Sequence, residues 1–240
     1  MSYNLQGKTA LVTGATSGIG KAILTALADE GCNVIIHHLK KSPKIKKLKR
    51  EIEKRGQKVW SFSADLTDEN KVSSMFKEIK KEIKKLDILV NNVGNYLKTD
   101  LEKLTIKQWH EILDSNLHST FYCMHYALPL LRAKIGGKVV NIGYASSGLM
   151  VAKPKILPYQ ISKTGILLLT KAYALNEAKN NILINMISPG VMENSVHQPT
   201  KEIPIGRTGK LKELAEVVIQ TIKNSYITGA HIEFAGGFNL

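Results

Sequence analysis

Residues 9–28, TALVTGATSGIGKAILTALA, read as strand, tight turn and helix. Thr9 to Val12 is a short apolar run, Gly14, Gly18 and Gly20 follow, and Ala22 to Ala28 continue in a helical pattern. Glycines at such a turn permit positive φ and close backbone approach, and the free amides at the start of the helix offer a site for an anion such as a pyrophosphate. The spacing is G-x-x-x-G-x-G, whereas the dinucleotide fingerprint is G-x-G-x-x-G. Taken alone, the turn is equally readable as any glycine turn that ends a strand.

Outward from this unit, strand-like runs recur at Asn33 to His37, Lys58 to Ser61, Ile88 to Asn91, Lys138 to Ile142, Leu183 to Ile187 and His231 to Glu233. Amphipathic stretches lie between most of them. In Lys44 to Lys58, Ile45, Leu48 and Ile52 fall at helical spacing, and Phe76, Ile79, Ile83 and Leu86 do so downstream. Repeated strand and helix units predict an α/β fold with a mostly parallel sheet. Right-handed crossovers carry the loops after the strands to the carboxyl edge, where open sheets bind ligands. Gly14 to Gly20, Asp65, Asn91 to Gly94, Gly143 to Gly148 and Pro189-Gly190 all follow strands and are expected to converge there. A length of 240 residues with 43 % hydrophobic content suits a single domain, 1–240, around one large core.

The formal charge of +14, from 34 basic and 20 acidic side chains, raises the question of nucleic-acid binding. The densest stretches, Lys40 to Lys58 and Lys77 to Lys85, interleave lysines with apolar helical positions and glutamates, and they lack aromatic residues for base stacking. They read as solvated helix faces, and no specific nucleic-acid partner is expected. No secretory leader is evident and Ile166 to Leu169 is too short to span a bilayer, so a cytoplasmic protein with no membrane partner is expected. Cys32 and Cys123 are isolated and read as buried structural thiols. The histidines form no compact ligand motif, and the adjacent His37 and His38 point to opposite faces, so no metal site is expected.

A second chemical signal is YQISK, residues 159–163. Tyr159 and Lys163 stand at i and i+4 and share a helix face, so the ammonium can sit beside the phenol and favour its ionised form. Such a tyrosine serves as an acid or base near neutral pH. The pair by itself is also readable as a chance surface meeting.

In order along the chain, TGATSGIG (13–20), Asp65-Leu66, NNVG (91–94), Asn116, YQISK (159–163), SPG (188–190), IPIGRTG (203–209) and YITGAHIEFAGG (226–237) resemble the short-chain dehydrogenase/reductase family. The style is that of its ketoacyl-carrier-protein reductase-like members. The resemblance implies a single Rossmann-like domain with a doubly wound, seven-stranded parallel sheet, and hydride transfer between NAD(H) or NADP(H) and a carbonyl or alcohol. It implies that Tyr159 is the general acid in reduction, that Lys163 lowers its pKa and holds the nicotinamide ribose, and that Asn116 keeps a proton-relay water in place. Further cofactor contacts are implied at Gly14, Ser17, Gly18, Ile19 and Gly20 in the turn, and at Asp65 and Leu66 by the adenine. Asn91, Asn92 and Gly94 are implied beneath the adenosine and ribose, and Pro189, Gly190 and Val191 near the nicotinamide amide.

The family serine after the fifth strand is not plainly kept. Counting thirteen residues back from Tyr159 gives Ser146, whereas counting forward from Val139 to Ile142 puts Tyr144 in its place. Ser146 is taken as the catalytic serine, with Ser147 and Tyr144 as alternatives. For the cofactor, an acidic residue after the second strand would bind the adenosine ribose and repel a 2′-phosphate. The equivalent place near His38 holds no carboxylate and is followed by Lys40 and Lys41, so NADP(H) is expected over NAD(H). Against this, Ser17 stands where many NADPH-using relatives have arginine or lysine. A short substrate loop is expected at 191–203, its wall formed with Met192, Val196, His197 and Pro199. The implied substrate is a small or carrier-borne carbonyl: a 3-oxoacyl thioester, or a small ketone, sugar or pterin-like molecule. A non-catalytic dinucleotide-binding protein is the contrasting class. The family also implies a homo-oligomer, a tetramer or dimer, with Ile161 to Ala178 and Leu214 to Ile222 as candidate faces.

Overall fold

The computed structural model describes residues 3–133 and 136–238. Strands β1 (Thr9–Val12), β2 (Asn33–His38), β3 (Val59–Ser63), β4 (Ile88–Asn91), β5 (Gly137–Ile142), β6 (Ile182–Pro189) and β7 (His231–Phe234) form one sheet in the order β3-β2-β1-β4-β5-β6-β7. Every pairing is parallel. The connections run through helices α1 (Gly18–Asp29), α2 (Pro43–Glu53), α3 (Glu69–Ile83), α4 (Ile106–Leu113), α5 (Ser119–Arg132), α6 (Leu157–Glu177) and α7 (Leu211–Lys223). This is a single Rossmann-like domain.

Side chains alternate along a strand, and the alternation sorts the core into two halves. Ala10 and Val12 of β1 and Val34 and Ile36 of β2 pack with α1, α2 and α7, while Leu11 and Ile35 pack with α3, α5 and α6. Strands covered on both faces need nearly continuous apolar runs, which is why β1 and β4 lie where the sequence puts them. α2 stops at Glu53, short of the amphipathic stretch to Lys58, because the chain turns through Gly56 at φ +85 to enter β3. β1 pairs with both β2 and β4, so the strand order reverses there and opens a crevice at the carboxyl edge.

Both cysteines are buried and free. Among the described residues no helix is long and apolar enough to cross a membrane. Leu214, Val218, Ile219 and Ile222 of α7 are buried in the domain's own core. α6 buries Ile166, Leu167 and Ala174 but leaves Leu168 exposed and Leu175 84 % exposed, with Phe121 of α5 also open.

Glu177, at the end of α6, is fully buried. It receives Arg132 Nε at 2.8 Å and a second guanidinium nitrogen, and the amides of Asn176 and Asn180 at 2.7 and 2.8 Å. The Arg132 hydrogen bonds are the chief reason its carboxyl titrates down at about 2. Replacing the guanidinium would leave a buried carboxylate on two neutral amides. Arg132→Met should cost about 2 kcal/mol in urea unfolding, below the cost for a fully buried pair because Arg132 is itself part exposed. A loss under about 0.5 kcal/mol would mean that water reaches Glu177.

Candidate active site

The glycine turn between β1 and α1 is built by close approach. Gly14 has φ +62, and a Cβ on Gly20 would stand 2.5 Å from the Gly14 carbonyl oxygen and 2.6 Å from Asn92 Nδ2. Asn92, just past β4, donates Nδ2 to the Thr13 carbonyl at 2.9 Å and its backbone amide to Thr13 Oγ1 at 2.8 Å. Its amide therefore pins the turn from below. Ser17, the N-cap of α1, makes no side-chain cap. The first-turn amides at Gly18, Ile19 and Gly20 bring the positive end of the helix into the crevice, a cradle suited to a pyrophosphate.

His37 on β2 holds the same turn from the other side, a role sequence reading passed over. It is 2 % exposed, its Nδ1 accepts the Gly14 amide at 3.1 Å, and its Nε2 donates to the Ala64 carbonyl at 3.0 Å. Burial, against the raising effect of the Ala64 bond, pushes its pKa down to about 4. The available signal was parity: strand alternation puts His37 on an interior face, where a polar ring needs partners.

His38 faces the other way and is also buried, with Nδ1 lacking a protein partner. It borders a cavity of about 290 Å³ at the start of α2, lined by Lys41, Ser42, Lys46 and Lys49. Ser42, the N-cap of α2, again makes no side-chain cap. Burial, then the nearby Lys41 charge, lowers the His38 pKa. Lys41 joins this basic cavity, whereas Lys40 is exposed outside its lining. After β3, Asp65 Oδ1 accepts from Thr67 N at 3.1 Å and Thr67 Oγ1 at 2.7 Å, so that oxygen closes its own turn.

Lys163 of YQISK and Asn116 come together around Gly94, at the carboxyl ends of β4 and β5. Lys163 is buried and donates Nζ to the Ile142 carbonyl at 2.9 Å. Burial lowers its pKa to about 8. Gly94 makes this meeting possible: a Cβ there would overlap Asn116 Oδ1 and stand 3.3 Å from Lys163 Nζ. Asn116 lies in a π-helical turn, Asp114–His118, between α4 and α5. Its Nδ2 donates to the carbonyls of Asn95 at 2.8 Å and Ile112 at 3.0 Å, while Oδ1 is buried without a protein partner. Such wide turns recur at functional sites, and they escape any reading based on a 3.6-residue period.

Tyr159 departs from the expectation of a lowered pKa. Burial, followed by the neighbouring Tyr144 and Tyr96, pushes its phenol above the ordinary tyrosine value. Lys163 Nζ lies 5.7 Å from the centre of the Tyr159 ring and is engaged by Ile142, so its charge does not offset the burial. Tyr96 and Tyr144 set their rings edge-on to Tyr159, with centroids 5.1 and 5.5 Å away.

In the GYASSG loop, Ser146 and Ser147 are each 1 % exposed, while Tyr144 is only half-buried. Ser147 Oγ donates to the Tyr144 carbonyl at 2.5 Å, and Ser146 Oγ lies 3.4 Å from Lys153 Nζ. After β6, the Pro189 carbonyl accepts the Ala145 amide at 3.1 Å, and Gly190 and Val191 are held by backbone bonds to Phe234 and Gly209 at 2.9 and 3.0 Å. Met192 does not line a wall: it is 2 % exposed and packs in the core cluster, while Val196 points wholly into solvent.

A parallel sheet with a phosphate-type turn at its switch point, and a tyrosine, lysine and asparagine at the same edge, defines a nucleotide-dependent oxidoreductase. The chain belongs to the short-chain dehydrogenase family, whose sequence model, described as short chain dehydrogenase, matches residues 8–203. It is an NAD(P)-dependent oxidoreductase of that family. It is 31 % identical over 241 residues to 3-oxoacyl-(acyl-carrier-protein) reductase FabG of Staphylococcus aureus, covering 96 % of this chain and 97 % of the relative. Among solved structures it is similar to a putative short-chain alcohol dehydrogenase from Sinorhizobium meliloti, with TM-score 0.90, 30 % identity and coverage of 98 % and 97 % of the two chains. It is also similar to a short-chain dehydrogenase from Burkholderia cenocepacia in complex with NADP, with TM-score 0.92, 27 % identity and coverage of 99 % and 100 %.

The His37 contacts carry a pH signature. Its pKa in the fold is about 4, below the value near 6.5 of a histidine in an unfolded chain. The stabilisation is therefore complete above about pH 6.5 and is lost as the pH falls toward 4. Between pH 7 and 4.5 the parent should lose about 2 kcal/mol more stability in urea than His37→Asn does. Equal losses in the two proteins would contradict a buried, neutral His37.

Proposed function

We propose that the protein reduces a carbonyl to an alcohol with NADPH, using Tyr159 as the acid. The observation that carries this reading is the meeting of Lys163 and Asn116 at Gly94, on the helix face that also bears Tyr159. The bound nicotinamide supplies the hydride. Tyr159, kept protonated through neutrality by its burial, gives its proton to the carbonyl oxygen as negative charge develops there. Lys163 keeps positive charge at the ribose side of the site, and Asn116, with an acceptor oxygen beside that ammonium, holds a water that returns a proton toward Tyr159. Gly14, Ser17, Gly18 and Ile19 would receive the pyrophosphate, Asp65 and Leu66 the adenine, Gly94 would lie beneath the adenosine and ribose, and Pro189, Gly190 and Val191 would lie near the nicotinamide amide.

The basic cavity beside His38 supports NADP(H) over NAD(H). A His38 ring nitrogen without a protein partner, which donates when it carries the proton, joins Lys41 and the uncapped start of α2 as groups that suit a phosphate dianion. The Burkholderia relative's complex with NADP is in keeping with this.

For the substrate, the similarity to a 3-oxoacyl-(acyl-carrier-protein) reductase supports a 3-oxoacyl thioester, and a charge of +14 suits an acidic carrier through electrostatic steering. A small planar ketone, quinone or pterin-like carbonyl is the second reading, favoured by Tyr96, which is 61 % exposed and stands edge-on to Tyr159. A short loop at 191–203 leaves room for either. A homo-oligomer, dimer or tetramer, would cover the exposed Phe121, Leu168 and Leu175.

A panel of acetoacetyl thioester, diketones, quinones and dihydropterins with NADPH tests the substrate class. With whichever turns over, Tyr159→Phe should keep NADPH affinity within about threefold and lower kcat by about 100-fold or more. Near-parental turnover by that variant would reject the acid. Lys163 titrates at about 8 in the free protein, so kcat/KM for reduction should hold through neutrality and fall above about pH 8 as its charge is lost. A profile flat to about pH 10 would contradict its role. A kcat/KM with NADH equal to or above that with NADPH would reject the cofactor preference.

A further inference from the structure

We propose that Tyr144 is the second hydroxyl that holds the substrate carbonyl oxygen, and that Lys153 positions it. The proposal rests on the reading of Tyr159 as the acid. Reduction turns a neutral carbonyl oxygen into one bearing negative charge, so a donor beside the acid lowers the barrier.

The geometry separates the three candidate hydroxyls. Ser147 gives its proton to the Tyr144 carbonyl at 2.5 Å and is buried. Ser146 is buried too, with its backbone at φ +82, a conformation that favours glycine, and its amide donates to Glu233 Oε1 at 3.2 Å. Tyr144 is half-buried, with its ring edge-on to that of Tyr159 at 5.5 Å. The backbone fixes where it stands: the residues on either side of it, Gly143 and Ala145, donate their amides to the carbonyls of Ile187 at 2.8 Å and Pro189 at 3.1 Å. Tyr144 therefore leaves the end of β5 from an anchored segment.

Lys153 then sets the direction of its proton. Nζ lies 2.9 Å from the Tyr144 hydroxyl oxygen and 5.4 Å from the centre of its ring. An ammonium only donates, so the Tyr144 oxygen accepts, and the phenol's own O–H remains for another acceptor. A cation on that oxygen also makes the O–H a stronger donor. The segment bearing Lys153 is tied to the catalytic helix by the residue next to Tyr159: Gln160 Oε1 accepts the Lys153 amide at 2.9 Å, and Gln160 Nε2 donates to the Val151 carbonyl at 2.6 Å. Tyr144 keeps its proton throughout and only hydrogen-bonds the oxygen, while Tyr159 delivers the proton that ends on the alcohol.

The experiment is steady-state kinetics with NADPH and the member of the carbonyl panel that turns over fastest. Tyr144→Phe should lower kcat roughly 100-fold with KM and NADPH affinity within about threefold, as for removal of a donor that acts on developing charge. Lys153→Met should lower kcat by about tenfold, and Lys153→Arg should restore most of it, because the guanidinium also donates to the phenol oxygen. Ser146→Gly removes the other hydroxyl at a backbone angle that glycine accepts. A loss of that size in Ser146→Gly, with Tyr144→Phe near parental kcat, would overturn the proposal, as would a Tyr144→Phe effect confined to KM. Tyr159→Phe run alongside keeps the two failures apart: its loss of activity with Tyr144→Phe unaffected sinks only this inference, whereas its near-parental activity sinks the parent reading.

Discussion

A lysine ammonium held inside the protein, on the carbonyl at the end of β5, is the constraint around which the catalytic edge is built. Lys163 Nζ donates to the Ile142 carbonyl at 2.9 Å, and burial brings its pKa to about 8. An ion so placed persists only when its surroundings supply polar partners and no bulk. Gly94 supplies the absence of bulk, since any Cβ would run into Asn116 and crowd Nζ. Asn116 brings its unpartnered Oδ1 to the same spot, which it reaches because the helix widens into a π turn there. Those placements in turn depend on the parallel sheet, which brings the ends of β4 and β5 side by side.

Electrostatics at this edge pull in opposite senses. Burial moves Tyr159 up and Lys163 down, so both groups hold their protons at neutral pH, one as a neutral donor and the other as a cation. That combination suits reduction, in which the oxygen must be given a proton. The reverse reaction needs the phenol to lose one, and becomes easier as pH rises.

Much of the fold was legible because parallel strands covered on both faces must be apolar along their length, and β1 and β4 were bounded to the residue by that rule. Helix ends were less so, as at α2, where Gly56 rather than the amphipathic pattern decides where the chain turns. Tyr159 and Lys163 could be paired from i, i+4 spacing, but the phenol's raised pKa could not, because it comes first from burial and then from Tyr144 and Tyr96, all set by residues far apart in sequence. Asn92 and His37 show a second limit. One was expected at the cofactor and the other at no site, yet both brace the glycine turn, through contacts that only the crossing of β1, β2 and β4 creates. The loop expected at 191–203 contributes Met192 to the core for a similar reason, since Met192 bridges to Gly209.

Whether this edge delivers a hydride and a proton to a carbonyl can be read by following the hydride itself. NADPH carrying deuterium at the transferred position of the nicotinamide would be incubated with the parent protein and each carbonyl of the panel, and the products analysed by mass spectrometry and NMR. The expected product is an alcohol with one deuterium on the former carbonyl carbon, formed in step with the fall in NADPH absorbance. Tight NADPH binding with no alcohol from any carbonyl, or an alcohol without deuterium at that carbon, would contradict it.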